Sequence, residues 1–161
     1  MRLHNTSAPY YASSVISAPH GFFTCEGGVS EPPYASLNLS RHVGDRADRV
    51  ASNRARALAA LGLRSLIAVK QVHADRTLTA EPVHLDAEPE GYDAIISTIP
   101  GAGLLIQQAD CQAVLLAAPN HGVVAAIHCG WRGSVLDVIG ATIRRLREQH
   151  GVAPDSLRAA I

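Results

Sequence analysis

The chain has 161 residues, and its 14 basic and 14 acidic side chains cancel to a formal net charge of zero. Balanced charge argues against nucleic-acid or membrane partners and favours a small-molecule ligand. Residues 1–24 lack the long apolar run of a signal peptide or membrane anchor, and three cysteines make no disulfide framework. We therefore expect a single domain, 1–161, in the cytoplasm.

The N-terminal part predicts one strand and one helix. Residues 15–24 are typical of a strand that leads into a turn at Gly27 and Gly28. From 45 to 61 the apolar residues recur with helical spacing, with Asp45 as the expected N-cap and Gly62 as the expected stop.

The following region predicts several short buried strands, because brief apolar runs are bounded by polar or glycine-rich segments. A loop is expected over most of 78–91. The predicted strands are 66–72, 93–97, 104–108, 113–118 and 123–128.

The last two of these strands are separated by a hairpin signal at residues 119–122. A loop of two or four residues would place Cys111 and His128 on one face of the hairpin, opposite or diagonal to each other. A three-residue loop would separate them unless a bulge intervened. A second helix is predicted from Ser134 to His150, with Ser134 and Asp137 as a capping box, and its positive N-terminal end could attract an anion.

Two imidazoles and one thiol stand out as candidate metal ligands: His73, Cys111 and His128. This donor set suits zinc, and three protein ligands leave a fourth tetrahedral position open, as in catalytic sites. The arrival of His73 beside the other two would depend on tertiary packing.

At these residues the sequence closely resembles the laccase-domain family, also called the polyphenol oxidase or peptidoglycan editing factor (YfiH-type) family. The resemblance is ordered and runs from about His20 to Leu146. The matching segments are His20-Gly21-Phe22-Phe23-Thr24, Gly27-Gly28-Val29-Ser30, Ser36-Leu37-Asn38-Leu39, His42-Val43-Gly44-Asp45, Gln71-Val72-His73, Ala109-Asp110-Cys111 and His128-Cys129-Gly130-Trp131-Arg132-Gly133.

The resemblance implies an α+β fold with a mixed β-sandwich-like core and flanking helices, as in cytotoxic necrotizing factor and YfiH-like proteins. It also implies a zinc ion bound by His73, Cys111 and His128, and these three residues would be catalytic. The implied reaction is phosphorolysis of purine nucleosides such as adenosine, inosine or methylthioadenosine. Adenosine deaminase activity is also attributed to the family. The expected partners are a purine nucleoside and phosphate, and the residues assigned to substrate binding are Asn38, His42, Asp110 and Arg132.

Two departures from the family pattern affect this expectation. Cys25 stands where family members usually carry an arginine that could bind phosphate. The family also continues with a further C-terminal segment, which we expect this chain to lack together with part of the pocket. The strand edge left there could pair with a second copy, so the sequence allows a homodimer.

Three alternatives compete with a zinc-dependent phosphorylase. A metal-free cysteine hydrolase or amidase would use Cys111 as nucleophile and His128 as base. A catalytically impaired fragment would keep the zinc without the activity. A copper oxidase is disfavoured, because the only methionine is Met1 and the chain has no His-x-His pair.

Overall fold

Ten short strands and three α-helices make up the fold of residues 1–161, described here from a computed structural model. The chain forms two compact units. Unit 1 comprises residues 1–14 and 19–64, and unit 2 comprises residues 15–18 and 65–161. None of the helices combines the length and the apolar character that a bilayer crossing requires. The mixture of sheets and helices confirms the predicted fold class, whereas the single-domain assignment stays a prediction.

Unit 1 contains a three-stranded antiparallel sheet in the order β1 (Arg2–His4), β2 (Tyr10–Ala12), β3 (Phe22–Phe23). The strand predicted over 15–24 is therefore wrong except at its end. Two features explain the difference. The backbone N–H of Ser13 donates to His20 Nε2, which closes a loop, and Pro19 has no N–H to offer a sheet.

The helix of unit 1 is α1 (Ala47–Leu61), and it ends where the sequence predicts. Gly62 adopts the left-handed conformation with φ 67°, as expected of a C-terminal glycine. Asp45 is not the N-cap, however, because the cap position falls on Arg46 and no side chain caps the helix. The Asp45 carboxylate instead accepts hydrogen bonds from the side chains of Ser30 and Asn38.

Unit 2 is built on a five-stranded sheet in the order β10-β8-β9-β6-β5 and a separate parallel pair, β4 with β7. The five-stranded sheet is antiparallel except where β5 runs parallel to β6. The strands are β4 (Ser65–Ala68), β5 (Thr77–Thr79), β6 (Ala94–Ser97), β7 (Ala102–Leu105), β8 (Gln112–Ala118), β9 (Val123–Cys129) and β10 (Arg158–Ala160).

Three strand predictions in this unit need correction. The strand expected over 104–108 begins two residues earlier and ends at Leu105, because β7 pairs with β4 over that range. The strand expected over 66–72 ends at Ala68, because the following residues form the loop that carries His73. The loop expected over 78–91 begins with the end of β5, whose backbone groups pair with β6. The segment 77–79 is short and flanked by polar residues, so its sequence does not indicate a strand. It becomes a strand only because it pairs with β6 in the folded chain.

The core of unit 2 lies on both faces of the five-stranded sheet. Along β6, Ile96 belongs to the cluster that packs against the long C-terminal helix. Its neighbour Ile95 belongs to a second cluster with residues of β4 and β7. Alternate residues of a strand point to opposite faces, so one short apolar strand supplies both layers. The layering agrees with the expected sandwich-like core and flanking helix.

The predicted hairpin is confirmed, and its loop has four residues, Pro119–Gly122, since Ala118 pairs with Val123. Ala113 pairs with His128 in this register. Cys111 precedes Ala113 by two residues, so it lies diagonally across from His128 on the same face. The turn length therefore decides the placement of two members of the trio.

The predicted second helix is broken in two. A short helix α2 (Trp131–Val135) is followed by α3 (Val138–His150), and Gly151 ends the latter as predicted. The capping box of Ser134 with Asp137 is wrong. Asp137 adopts a positive φ of 58° and is itself the N-cap of α3, accepting a hydrogen bond from the backbone N–H of Gly140.

Candidate metal centre

The three predicted ligands come together in unit 2. His73 lies in the loop after β4, Cys111 lies just before β8, and His128 lies on β9. One donor atom from each lies within 4.8 Å of the others. The two imidazole rings are nearly perpendicular, with centroids 4.8 Å apart. His128 is 3% exposed, Cys111 is half-buried and His73 is exposed, so the cluster is open on one side.

The donor set fits zinc, which takes imidazole nitrogen at about 2.0–2.1 Å and thiolate sulfur at about 2.3 Å. Soft thiolate and borderline imidazole donors are poor ligands for magnesium or calcium. With three protein donors the cluster leaves room for a further ligand, as the sequence predicts.

Asp93 lies directly behind the cluster, and sequence reasoning missed it. Its side chain is fully buried, and Oδ1 lies 2.9 Å from Nδ1 of His128. The same carboxylate accepts hydrogen bonds from three consecutive backbone N–H groups, those of Val72, His73 and Ala74, at 2.8–3.1 Å. The available signal was a single acidic residue at the start of an otherwise apolar strand.

The hydrogen bonds keep Asp93 ionised. Burial by itself raises the pKa of this carboxyl group. The hydrogen bonds from His128 and from the three backbone N–H groups outweigh burial, so the pKa of Asp93 falls below its ordinary value. Asp93 therefore carries a negative charge at neutral pH inside the protein.

Gly130 leaves space for the cluster. Its backbone is extended, with φ −79° and ψ −177°, a conformation open to any residue. A Cβ atom at this position would lie 2.7 Å from the sulfur of Cys111 and 3.4 Å from Cδ2 of His73. The glycine is required by space and not by backbone conformation, which the sequence alone does not reveal.

The pKa of the Cys111 thiol is raised above its ordinary value. Burial is the main cause, and the charge and hydrogen bond of neighbouring Asp110 add to it. A cysteine nucleophile needs the opposite shift, toward the thiolate at neutral pH. A bound cation would reverse the effect by favouring the thiolate. This environment suits a metal ligand better than the nucleophile of a metal-free hydrolase.

Of the residues predicted to bind substrate, Asp110 adjoins the cluster and Arg132 lies in α2. The Arg132 guanidinium lies 5.9 Å from the ring centroid of Trp131, which is 75% exposed. A helix does begin next to the cluster, because the short α2 starts at Trp131, whereas the long helix begins only at Val138 with the negatively charged Asp137 at its N-cap. The anion site expected at the start of the second helix stays a prediction.

Asn38 and His42 lie in unit 1. The amide group of Asn38 hydrogen-bonds Asp45 and both the N–H and the carbonyl of Ser40, which holds the loop from 38 to 45. His42 is exposed. Their assignment to substrate binding stays a prediction.

Comparison with known proteins places the chain in a family. Residues 19–161 match the family described as multi-copper polyphenol oxidoreductase laccase, and the chain belongs to it. A purine nucleoside phosphorylase of Corynebacterium glutamicum is 37% identical over 141 residues, which cover 86% of this chain and 57% of that protein. A purine nucleoside phosphorylase of Deinococcus radiodurans is 39% identical over 161 residues, 95% of this chain and 59% of that protein.

Solved structures agree with this placement. The structure of YlmD from Geobacillus stearothermophilus superposes with a TM-score of 0.90 over 98% of this chain and 62% of that chain, at 24% identity, and shows the same fold. The hypothetical protein YfiH of Bacillus licheniformis gives a TM-score of 0.79 at 28% identity, over 86% of this chain and 55% of that one. The chain thus spans somewhat more than half the length of the relatives it matches.

Proposed function

We propose that this chain carries the zinc centre of a purine nucleoside phosphorylase, with His73, Cys111 and His128 as ligands. The observation that carries the proposal is the convergence of two imidazoles and one thiol on a fold shared with relatives that are named purine nucleoside phosphorylases. The open side of the cluster is where a nucleoside and phosphate would bind. The cytoplasmic location and a homodimer belong to the same proposal.

In phosphorolysis a phosphate oxygen forms a bond to the anomeric carbon of the sugar. The bond from that carbon to the purine nitrogen breaks, and the base leaves with the bonding electrons. Zinc, when bound, would supply Lewis-acid stabilisation of developing negative charge. The protein must hold the phosphate in line with the departing base. Binding both reactants in this geometry removes the entropy cost of bringing them together at the transition state.

Arg132 is the residue we assign to phosphate binding. Its guanidinium is exposed and forms no ion pair with a carboxylate of the chain, so its charge is available to an anion. Guanidinium donors match phosphate oxygens in a two-point geometry. Arg132 follows His128 by only four residues, through the end of β9 and the start of α2. The assignment of Asn38 and His42 to substrate binding rests on the family resemblance alone.

Adenosine deamination is a second activity that the position of one carboxylate favours. Asp110 directly precedes Cys111 in the chain, and its charge helps to raise the pKa of the Cys111 thiol. A carboxylate beside a zinc ligand is placed to carry protons between water and the amine that leaves the purine. We therefore assign Asp110 the role of proton carrier if the enzyme deaminates adenosine as well.

The first test is the metal content of the purified chain, prepared without chelators and measured by elemental analysis. About one zinc per chain is expected, and His73→Ala and Cys111→Ala should each lose it. His121→Ala and Cys25→Ala change the same residue types at exposed positions and should keep the zinc. A parent chain without metal would reject the zinc centre.

The second test measures products from adenosine and inosine with and without phosphate. Phosphate-dependent release of the free base indicates phosphorolysis, and conversion of adenosine to inosine without phosphate indicates deamination. Arg132→Lys should raise the KM for phosphate, because the two-point geometry is lost. A zinc-loaded chain that converts neither nucleoside would support the impaired fragment instead.

A further inference from the structure

We propose that Asp93 is a positioning residue that assembles two of the three metal ligands before the metal arrives. This inference rests on the proposed metal centre. One buried carboxylate contacts both the ring of His128 and the main chain that carries His73. The third ligand, Cys111, is placed by the hairpin, as described above.

Asp93 holds the loop that carries His73. His73 adopts a positive φ of 59°, a left-handed conformation that is uncommon for a residue with a Cβ atom. The three consecutive N–H groups of residues 72–74 converge on the carboxylate oxygens of Asp93. The hydrogen bonds to an ionised acceptor hold the loop in this conformation, which directs the His73 side chain to the cluster.

Asp93 also faces the ring of His128. Nδ1 of this ring lies 2.9 Å from Oδ1 of Asp93, and the same oxygen accepts a hydrogen bond from the backbone N–H of His73. In the proposed arrangement Oδ1 accepts from Nδ1 as well, which leaves the lone pair on Nε2 free for a metal. The backbone N–H of His128 also donates to the carbonyl oxygen of Asp93 at 2.7 Å, so main chain and ring are fixed to the same residue.

The surroundings of Asp93 call for a carboxylate. Its two oxygens face three backbone N–H donors and the ring nitrogen Nδ1 of His128. An asparagine amide would present its own N–H₂ to at least one of these donors, whichever way it is turned. Glutamine or glutamate would move the acceptor atoms by one methylene. Aspartate has two acceptor oxygens at the right distance from the main chain for this arrangement.

The first experiment records long-range proton–nitrogen NMR correlations of the histidine rings in the unchanged, metal-free chain at neutral pH. We expect His128 with the proton on Nδ1 and a bare Nε2. A proton on Nε2 alone would overturn the inference. This measurement needs no variant, so it holds even if a substitution at Asp93 prevents folding.

The second experiment compares zinc affinity by competition with a coloured chelator, and cobalt(II) binding by the absorption band of the thiolate–cobalt bond. Asp93→Asn should bind both ions about 10- to 100-fold more weakly, as expected when the partner of a metal-binding histidine is lost. Asp75→Asn removes an exposed carboxylate two residues from His73 and should leave both affinities unchanged. Circular dichroism confirms that each variant is folded.

The outcomes separate the inference from the proposed function. A folded Asp93→Asn chain with the parent affinity overturns the inference. An equal loss of affinity in Asp75→Asn also overturns it, because the effect would then be one of overall charge. A parent chain that binds zinc but converts no nucleoside removes only the proposed function. A parent chain that binds no zinc removes both.

Discussion

Each unit contains one fully buried polar side chain that ties loops together, Asn53 in unit 1 and Asp93 in unit 2. Asn53 lies on α1, and its Oδ1 accepts from the backbone N–H of Val29 at 2.8 Å. Its amide nitrogen donates to the hydroxyl of Ser30 and to the carbonyl oxygens of Ser36 and Asn38. Every polar atom of the Asn53 side chain therefore has a partner in the same unit.

The difference lies in what the contacts serve. The contacts of Asn53 end at backbone groups and one hydroxyl, and a neutral amide with both donors and acceptors suffices for them. The contacts of Asp93 include an imidazole whose second nitrogen faces a cluster of metal-ligating atoms. Burying a charged carboxylate costs desolvation free energy, and the hydrogen bonds to Asp93 offset this cost. In this chain the buried amide of Asn53 supports loops, whereas the buried carboxylate of Asp93 contacts a histidine of the candidate metal centre.

The largest effect on stability is expected for Asn53→Ala. The substitution leaves the N–H of Val29 and the carbonyl oxygen of Asn38 without their partner, and each unpaired group costs about 1–3 kcal/mol. We expect the free energy of unfolding in urea to fall by about 3–4 kcal/mol. The exposed control Asn120→Ala should change it by less than about 0.5 kcal/mol.

The same variant tests whether Asn53 also contributes to zinc binding. If Asn53 is only structural, the folded Asn53→Ala chain binds zinc as the parent does. Weaker zinc binding by chains shown to be folded would give Asn53 a role in the site and remove the distinction.

A smaller effect, confined to the site, is expected for Gly130→Ala. The added methyl group meets the Cys111 sulfur, and overpacking of this kind costs about 1–3 kcal/mol. If this strain opposes the metal-bound geometry, zinc affinity falls by about 5- to 150-fold. Gly62→Ala is the matched control, because a Cβ atom there meets nothing within 4 Å. The control should lose some stability from its positive φ and keep its zinc affinity. Equal affinities of parent and Gly130→Ala would show that Cys111 needs no such space.

The smallest effect is expected for Asp45→Asn and concerns pH. Hydrogen bonds from Asn38 and Ser30 lower the pKa of Asp45, despite an opposing contribution from burial. A lowered pKa in the folded state stabilises the protein above the unfolded value of about 3.9, and this stability is lost as pH falls through the folded pKa. Urea unfolding at pH 7 and at pH 3 should therefore show a smaller loss of stability on acidification for Asp45→Asn than for the parent. An identical pH dependence would contradict the lowered pKa.

The sequence predicted much of the fold where local rules apply. Gly62 and Gly151 end their helices in the left-handed conformation, as expected of glycine after a helix. The strands of 93–97 and 113–118 agree with the structure within one residue. The failures have a common cause, because Asp45 and Asp137 were assigned by sequence spacing to caps that tertiary hydrogen bonds and a helix break moved elsewhere.

The amino-acid sequence reduced the pairing of Cys111 with His128 to one variable, the length of the turn between their strands. The turn in the structure has four residues, and the two-residue periodicity of a strand then places both residues on a shared face. Only the tertiary structure decided that His73 joins them, that Asp93 holds both histidines, and that Gly130 leaves space for the sulfur. Those contacts join residues about 20 to 57 positions apart in the chain. No local periodicity relates such residues, so their contact depends on how strands and loops pack within unit 2.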